Sequence, residues 1–460
     1  TKAYFEDKMM ALRWLFFARD VRGGLGERRL FRAILKNMAK DDVDVVKHLA
    51  PLVSEYGRYD DLWCLFGTDV DGVILDIIKK QLTDDIANMA DNKPVSLLAK
   101  WLPSVNASSA KTKMDARYIC KNLGMTEREY RKTLSSLRSY IDIVESKMSA
   151  KKWGDIKYET VPSRANLIYN GAFLRNDEDR RREYLSKLEK GETKINAGTL
   201  FPHDIVHKYS SATGWYGGVG KYDATLESLW KALPDTVNEC GNTIVVADGS
   251  GSMCCNVGGN SRVTALEVAN ALAIYFAEHS SGDFKDKYIT FSSRPQLVDF
   301  SQCDSLRDKL RVAYSHSECS NTNIEKVFDL ILTTAVNGHM KQEDMPKNVL
   351  IISDMEFDSC ATCGGNGYGL NRPNAKLFKV IKKRFEDAGY QMPRLVFWNV
   401  NSRTGTIPVK ENDLGVALVS GFSTNICKMV MSGKTDPYEC LVETLMSERY
   451  DAVEAALKNS

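Results

Sequence analysis

No run of apolar residues in this 460-residue sequence is long enough to span a bilayer, so a membrane-spanning protein is not indicated. The eleven cysteines have no regular spacing, which argues against a disulfide framework and favours a reducing compartment. The sequence shows no secretory signal, no Walker or kinase motif, and no nucleophile paired with a base. We therefore expect a cytoplasmic protein that is not an enzyme.

The charge is nearly balanced overall but unevenly distributed. The formal net charge is +2, and the content of 43% hydrophobic and 27% charged residues is that of a globular protein. Residues 1–235 carry 39 Lys and Arg against 33 Asp and Glu, whereas the remainder carries 23 against 27. The length suits two or three domains. The positive first half favours an anionic partner, although only weakly.

The most informative stretch is Thr-Ile-Val-Val-Ala-Asp-Gly-Ser-Gly-Ser-Met, which begins at Thr243. Its first five residues predict a buried parallel strand, and a helix is expected at about 262–278. Asp248, Ser250 and Ser252 would then project from the carboxyl end of the strand, where open α/β sheets bind ligands. One carboxylate and two hydroxyls are hard oxygen ligands suited to Mg²⁺. The alternative is a glycine-rich turn whose serines cap the helix.

A second strand of the same kind is predicted at 347–353, and Asp354 follows its carboxyl end. Thr322 precedes a helix predicted at 324–332, between the two strands. Asp248, Ser250, Ser252, Thr322 and Asp354 are in the ligand order of a metal-ion-dependent adhesion site. Residues 241–432 thus resemble a von Willebrand factor A domain. The resemblance implies a doubly wound, Rossmann-like α/β fold and a bound Mg²⁺ that leaves one position open for a partner's carboxylate.

Helical periodicity dominates residues 1–235. In the first predicted helix, one apolar face is formed by Phe5, Met9, Leu12 and Phe16. The pattern predicts an array of helix pairs without a strict sequence period, such as irregular HEAT-like repeats. The segment 209–220 is rich in glycine and serine and is predicted to be a linker.

Three motifs in the helical half carry a second resemblance. They are Arg-Gly-Gly-Leu-Gly-Glu-Arg at 22–28, Gly-Arg-Tyr-Asp-Asp-Leu-Trp at 57–63 and Lys-Trp-Leu-Pro-Ser at 100–104. They are similar to motifs of the Ro autoantigen (TROVE-module) family, and closer still to a viral and eukaryotic family that joins this helical module to an A domain. The resemblance implies a helical array that can close into a ring and bind small noncoding or structured RNA.

The glycine turn of the first motif has two interpretations. It opens a helix and is flanked by arginines, an arrangement that can hold a phosphate. The flanking arginines are Arg19, Arg22, Arg28 and Arg29. The alternative, which we favour, is a helix–helix turn whose arginines pair with Asp20 and Glu27.

A basic tract between residues 111 and 138 is the candidate RNA-binding surface. Its cationic residues, set against three acidic ones, are Lys111, Lys113, Arg117, Lys121, Arg128, Arg131, Lys132 and Arg138. Lysine and arginine neutralise phosphates, and the interleaved Tyr118 and Tyr130 can stack on bases. The alternative is an ordinary solvated helix face.

Two cysteine pairs follow the two predicted metal-site loops. Cys254 and Cys255 follow the first, and Cys360 and Cys363 follow the second. If the loops meet at one edge of the sheet, the four sulfurs could hold Zn²⁺ or form a disulfide. Adjacent cysteines chelate one ion poorly, so the alternative is a set of reduced cysteines in loops.

The sequence therefore predicts four segments: a helical-repeat domain at 1–208, a linker with a short helix at 209–235, an α/β A domain at 236–435, and a C-terminal helix at 436–460 that docks on the helical domain. We expect a non-enzymatic, Ro-like ribonucleoprotein component that also binds a protein partner through Mg²⁺. The alternative function is a metal-dependent protein scaffold without an RNA role. A metal-dependent nuclease is disfavoured because the predicted site lacks a general base.

Overall fold

The computed structural model describes residues 2–211, 218–237, 242–257, 262–318, 323–354, 375–401, 417–421 and 437–458. By contacts, the chain divides into two compact units. We call residues 1–161, 171–181 and 442–460 the helical unit, and residues 162–170 and 182–441 the α/β unit. None of the described helices is both long enough and apolar enough to cross a membrane.

The described residues of the first half of the chain form helices joined by loops, in agreement with the predicted periodicity. The helices are α1 (Lys2–Glu6), α2 (Lys8–Arg19), α3 (Arg28–Asp41), α4 (Val43–Leu49), α5 (Val53–Tyr56), α6 (Asp71–Ala90), α7 (Leu98–Trp101), α8 (Ala110–Asn122), α9 (Glu127–Tyr140), α10 (Val144–Ser149), α11 (Ser163–Asn176), α12 (Glu178–Glu189), α13 (Pro202–Ser211) and α14 (Ala224–Lys231). A 3-10 helix, Tyr59–Leu65, separates α5 from α6.

The predicted first helix is divided at Asp7. The Asp7 carboxylate accepts a hydrogen bond from the Met10 amide at 2.9 Å and so caps α2 as a separate helix. Leu12 and Phe16 are buried as expected, but Phe5 lies on α1 and is exposed. The shared apolar face predicted from Phe5 onwards was therefore wrong at its first position, because a local cap interrupts the helix.

The end of the chain packs against its beginning within the helical unit. Two further helices, α19 (Pro437–Leu445) and α20 (Asp451–Lys458), replace the single predicted one. The buried Arg13 of α2 donates to the Leu445 carbonyl at 2.9 Å and to Glu454 at 2.7 Å. Sequence-distant segments thus share one core, in which the Phe16 ring lies 5.6 Å from that of Phe31.

The α/β unit contains the sheet. Its elements after α14 are β1 (Thr243–Asp248), α15 (Ala265–His279), β2 (Lys287–Phe291), β3 (Leu297–Asp299), α16 (Leu306–Ser315), α17 (Ile324–Asn337), β4 (Asn348–Ser353), α18 (Ala375–Asp387), β5 (Arg394–Asn399) and β6 (Ala417–Ser420). The order of the six described strands is β3-β2-β1-β4-β5-β6. Among these described strands, only β2 and β3 pair in antiparallel fashion, at one edge of the sheet.

Helices cover both faces of this sheet, as buried parallel strands require. On one face, Val246 and Ile351 pack in a cluster with Phe328 of α17 and Phe385 of α18. On the other, α15 is buried along almost its whole length. The predicted fold class is confirmed: a helical N-terminal region is followed by a doubly wound α/β unit.

The α/β unit begins earlier than the predicted boundary at residue 208. His207 of α13 lies 3.0 Å from the Glu267 carboxylate on α15. Tyr209 donates to Glu227 on α14 at 2.6 Å. These bonds join α13 and α14 to the helix layer over the sheet, so that helices near 208 pack with the α/β unit. Helical periodicity alone carries no information about which unit a helix joins.

Candidate functional site

The predicted metal site lies where the direction of winding of the sheet changes. Strand order reverses between β1 and β4, and such a switch point forms a crevice at the carboxyl ends of the strands. The two strands are parallel neighbours, with Ala247 opposite Ile352. Asp248 and Asp354 therefore leave the same edge of the sheet, side by side.

Both oxygens of the Asp248 carboxylate accept hydrogen bonds. Its Oδ1 accepts from the Ser250 amide at 2.9 Å, and its Oδ2 accepts from the Ser353 hydroxyl at 2.6 Å. The hydroxyls of Ser250 and Ser252 lie 3.1 Å apart, and both residues are half-buried. Asp248, Ser250 and Ser252 are thus gathered at one point by the turn that follows β1.

Burial raises the pKa of Asp248 to about 6, and the nearby Asp354 charge adds to this rise despite the donors from Ser353 and Ser250. Asp354 is itself completely buried. Two carboxylates in a shared buried position repel each other unless a proton or a cation compensates them. The donor set of two carboxylates and nearby hydroxyls fits a small, hard divalent cation.

Gly249 allows this turn to pass under a neighbouring loop. A Cβ atom on Gly249 would lie 3.1 Å from the Ser317 Cα and 3.2 Å from the Glu318 nitrogen. Such contacts are too tight for a side chain without displacement of the backbone. The glycine between Asp248 and Ser250 therefore serves close packing as well as the turn.

Two parts of the predicted constellation are outside the described residues. Thr322 belongs to the segment 319–322, and Cys360 and Cys363 belong to 355–374. Cys254 and Cys255 are described and half-buried. Because Cys360 and Cys363 are not described, the zinc or disulfide hypothesis stays a prediction. Within the described ranges, no group of three or more His, Cys, Asp or Glu side chains is placed to hold a metal.

Ser353 also belongs to this site, although it was not among the predicted site residues. The parallel register places this residue directly beyond the Ala247–Ile352 pair, next to Asp248. A serine at the end of an otherwise apolar strand was the available signal. Its importance depends on the pairing of β1 with β4, which sequence periodicity does not specify.

The basic tract forms two consecutive helices, α8 and α9, of the helical unit. The basic residues exposed on them are Lys111, Arg117, Lys121, Arg128, Arg131 and Lys132, while Lys113 is half-buried. Arg117 pairs with Glu127 at 3.0 Å. Six cations therefore face solvent, as an RNA-binding surface requires.

Arg138 and Tyr130 differ from the other members of the tract. Arg138 donates to the carbonyls of Ala99 and Leu102 at 2.8 and 2.7 Å, and to the Ser104 hydroxyl at 2.8 Å. The ring of Tyr130 is buried. Both side chains hold the segment after α7 against α9, and the Tyr130 hydroxyl donates to the Pro103 carbonyl at 3.0 Å. The Arg138 guanidinium is therefore engaged within the protein, and the buried Tyr130 ring cannot stack on a base.

The outer face of α9 borders a groove of about 620 Å³. Arg131, Ser135 and Ser139 line it at helical spacing, and Val105 and Leu134 also belong to its lining. The lining combines these hydroxyls with the cations of Arg131, Lys147 and Lys152, but it also includes the carboxylates of Asp142 and Asp155. Hydroxyls and cations contact phosphates, whereas the two carboxylates repel them.

The fold defines an α-helical unit joined to a doubly wound α/β unit with a polar site at its switch point. Among family models, "Domain of unknown function (DUF2828)" matches residues 73–243, and "Domain of unknown function (DUF7788)" matches residues 242–458. The chain is 28% identical over 484 residues to "Uncharacterized protein L728" of Acanthamoeba polyphaga mimivirus, an alignment that covers 96% of this chain and 80% of the viral protein.

Among solved structures, the chain is similar to the crystal structure of the Deinococcus radiodurans Ro (RSR) protein. The identity is 15% and the TM-score is 0.45, and the match covers 94% of this chain and 92% of that chain.

Proposed function

We propose that the α/β unit is a non-enzymatic binding module that uses a divalent cation, most simply Mg²⁺, to bind a carboxylate of a partner. The observation that carries this proposal is the pair of buried carboxylates, Asp248 and Asp354, at the switch point beside the hydroxyls of Ser250 and Ser252. Thr322 completes the set proposed to hold the ion.

The donor set supports binding rather than hydrolysis. Two carboxylates balance the charge of one divalent cation, and the hydroxyls add oxygen ligands without charge. When bound, the ion would act as a Lewis acid towards an incoming carboxylate oxygen. The set contains no residue with the role of a general base, which hydrolysis by an activated water needs.

Calorimetric titration of Mg²⁺ into the metal-free protein tests the site. Asp248→Ala and Asp354→Ala should abolish binding, whereas Asp299→Ala should not. Asp299 is an exposed carboxylate on β3, opposite Lys287 at the start of β2, and so lies at the other edge of the sheet. Mg²⁺ at 100 times its Kd should also stabilise the α/β unit by about 2.7 kcal/mol. If Asp248→Ala binds Mg²⁺ with the same affinity as the unmodified chain, the proposed metal site is wrong.

RNA binding by the helical unit is the second candidate function. It is favoured by the six exposed cations on α8 and α9 and by the polar groove beside α9. The motif resemblance to the Ro family, which implies RNA binding, points in the same direction. Binding through phosphates would be strongly dependent on salt, with log K falling by about 0.7 per phosphate contact on a single strand for each tenfold rise in salt.

The test compares two triple charge reversals. The first changes Arg128, Arg131 and Lys132 to glutamate, and the matched control changes the exposed Lys379, Lys382 and Lys383 of α18. Both variants change the net charge equally. Only the first should weaken binding of a structured RNA and reduce its salt dependence. Equal affinities of the two variants would favour the scaffold without an RNA role.

A further inference from the structure

Two of the sequence motifs meet in the helical unit and form a cluster of arginines around two aspartates. The first motif, with α3 and the end of α2, supplies arginines, and the second supplies one arginine and both aspartates. The members are Arg19, Arg28, Arg32, Arg58, Asp60 and Asp61. Four guanidiniums face two carboxylates, so the cluster carries an excess charge of +2.

Asp61 is completely buried and its oxygens are fully used. Its Oδ1 accepts from the Nε atoms of Arg28 and Arg32 at 3.2 and 2.6 Å. Its Oδ2 accepts from Arg19 Nε at 2.8 Å and from the Arg58 amide at 3.0 Å. Asp61 therefore organises the cluster from below, because it fixes the arginine side chains at their Nε ends.

Asp60 lies nearer to the surface and is surrounded by three cations. Its Oδ2 contacts the Nη2 atoms of Arg28, Arg32 and Arg58, the last two at 3.2 Å. The side chains of the three arginines are 30–37% exposed, against 17% for Asp60. The single negative charge of Asp60 thus lies at the inner edge of three guanidiniums and cannot neutralise all three positive charges.

The outer edges of these arginines are oriented and available. The Nη1 groups of Arg28, Arg32 and Arg58 make no hydrogen bond within the described part of the chain. The Arg58 guanidinium lies 4.1 Å from the centre of the Trp101 ring, which fixes its plane. Burial lowers the pKa of Arg58, and the Arg28 charge lowers it further. An added anion would relieve this repulsion.

We propose that Arg28, Arg32 and Arg58 form a binding site for a phosphate group. Guanidinium groups recognise phosphate through paired N–H donors, and groups already held in place lose little freedom on binding. The carboxylates that fix their inner edges leave outward donors around an uncompensated positive charge. Asp60 acts as an internal anion that competes with the ligand for the same guanidiniums.

This site is separate from both proposed functions. It uses α3 and the 3-10 helix Tyr59–Leu65, whereas the RNA surface uses α8 and α9 and the metal site belongs to the α/β unit. The glycine-turn motif predicted that Arg19, Arg22, Arg28 and Arg29 pair with Asp20 and Glu27. The observed partners of Arg19 and Arg28 are instead Asp60 and Asp61, about 30 to 40 residues away.

Calorimetric titration of the full chain with inorganic phosphate at low ionic strength tests the proposal. Arg28→Gln and Arg58→Gln should each weaken binding about tenfold, the loss expected for one charge-assisted contact. Asp60→Asn should tighten binding several-fold, because it removes the competing anion. The control Arg29→Gln removes an exposed arginine of α3 outside the cluster and should leave the affinity unchanged.

Adenosine monophosphate and adenosine identify the source of the phosphate. Equal affinity for adenosine monophosphate and inorganic phosphate means that the site recognises the phosphate group alone. Tighter binding of the monophosphate means that the site recognises a nucleotide. Adenosine, which has no phosphate, should not compete with inorganic phosphate for the site. Thermal unfolding verifies that each variant folds. If Arg28→Gln does not fold, Arg58→Gln carries the test, because within the described residues the Arg58 side chain is hydrogen-bonded only to Asp60, besides its contact with the Trp101 ring. The absence of phosphate binding, or equal affinities for Arg58→Gln and Arg29→Gln, overturns the site.

Discussion

Replacement of Arg449 by methionine should destabilise the helical unit, because it removes the counter-ion of a buried carboxylate. Asp20 is 1% exposed and accepts from Nε and Nη2 of Arg449, the latter at 2.7 Å. It also accepts from the Tyr450 hydroxyl at 3.2 Å and the Arg22 amide at 3.0 Å. In the variant only the weaker neutral donors would remain for the charged carboxylate.

The magnitude follows from the burial of the two partners. Removal of one member of a buried ion pair costs about 3–5 kcal/mol. The Arg449 side chain is 39% exposed, so solvent screens part of this interaction and the remaining donors offset more. We expect a loss of about 2–3 kcal/mol, which lowers the Tm of a unit of this size by roughly 5–10 °C.

The assay combines thermal unfolding with hydrogen exchange of peptides from α2 and α20, which reports the opening of this region alone. Arg29→Met is the control, since Arg29 is exposed and forms no ion pair with another described residue. In an Asp20→Asn background the effect of Arg449→Met should fall below about 1 kcal/mol. A loss no larger than that of the control, or one unchanged by Asp20→Asn, refutes the reasoning.

The pH dependence gives an independent readout of the same pair. Burial by itself raises the pKa of Asp20, but the Arg449 guanidinium and backbone donors outweigh it and leave the pKa below its usual value. A depressed carboxyl pKa stabilises the folded state above the unfolded pKa, and this stability is lost as the pH falls through the folded pKa. The difference in stability between the unmodified chain and Arg449→Met should therefore shrink in acid, below about pH 4.

Two further predictions follow from the sites. Arg138→Met should lower the stability of the helical unit by about 2–4 kcal/mol in thermal unfolding, because three acceptors lose their donors. A loss below about 0.5 kcal/mol would show that these hydrogen bonds contribute little, and Arg138 would again be a candidate RNA-binding residue. Mg²⁺ affinity measured by calorimetry should fall about tenfold between pH 7 and pH 5, because protons compete for Asp248, whose pKa burial raises to about 6. In the metal-free protein, this raised pKa lowers the free energy of unfolding as the pH rises through 6. Because Mg²⁺ should bind more tightly at pH 7 than at pH 5, it should also stabilise the α/β unit more at pH 7. An affinity independent of pH would contradict that role of Asp248.

The sequence by itself determined the elements and the class of fold. The apolar runs at 243–247 and 347–353 predicted buried strands, and each is followed by an aspartate, so the edge position of Asp248 and Asp354 was predictable. The helices predicted at about 262–278 and 324–332 lie between these two strands, an arrangement typical of a parallel α/β sheet. These features are local, because periodicity and the residue at the end of a run depend on a few neighbouring positions.

Only the tertiary structure decided which side chains serve the protein itself and which are available to a partner. Arg138 and Arg131 belong to the same helix and the same basic tract, yet one is bound to three internal acceptors and the other faces solvent. Likewise, Asp20 pairs with Arg449, more than 400 residues away, rather than with a neighbouring arginine. Contacts of this kind depend on how elements distant in sequence pack together, and no local pattern contains that information.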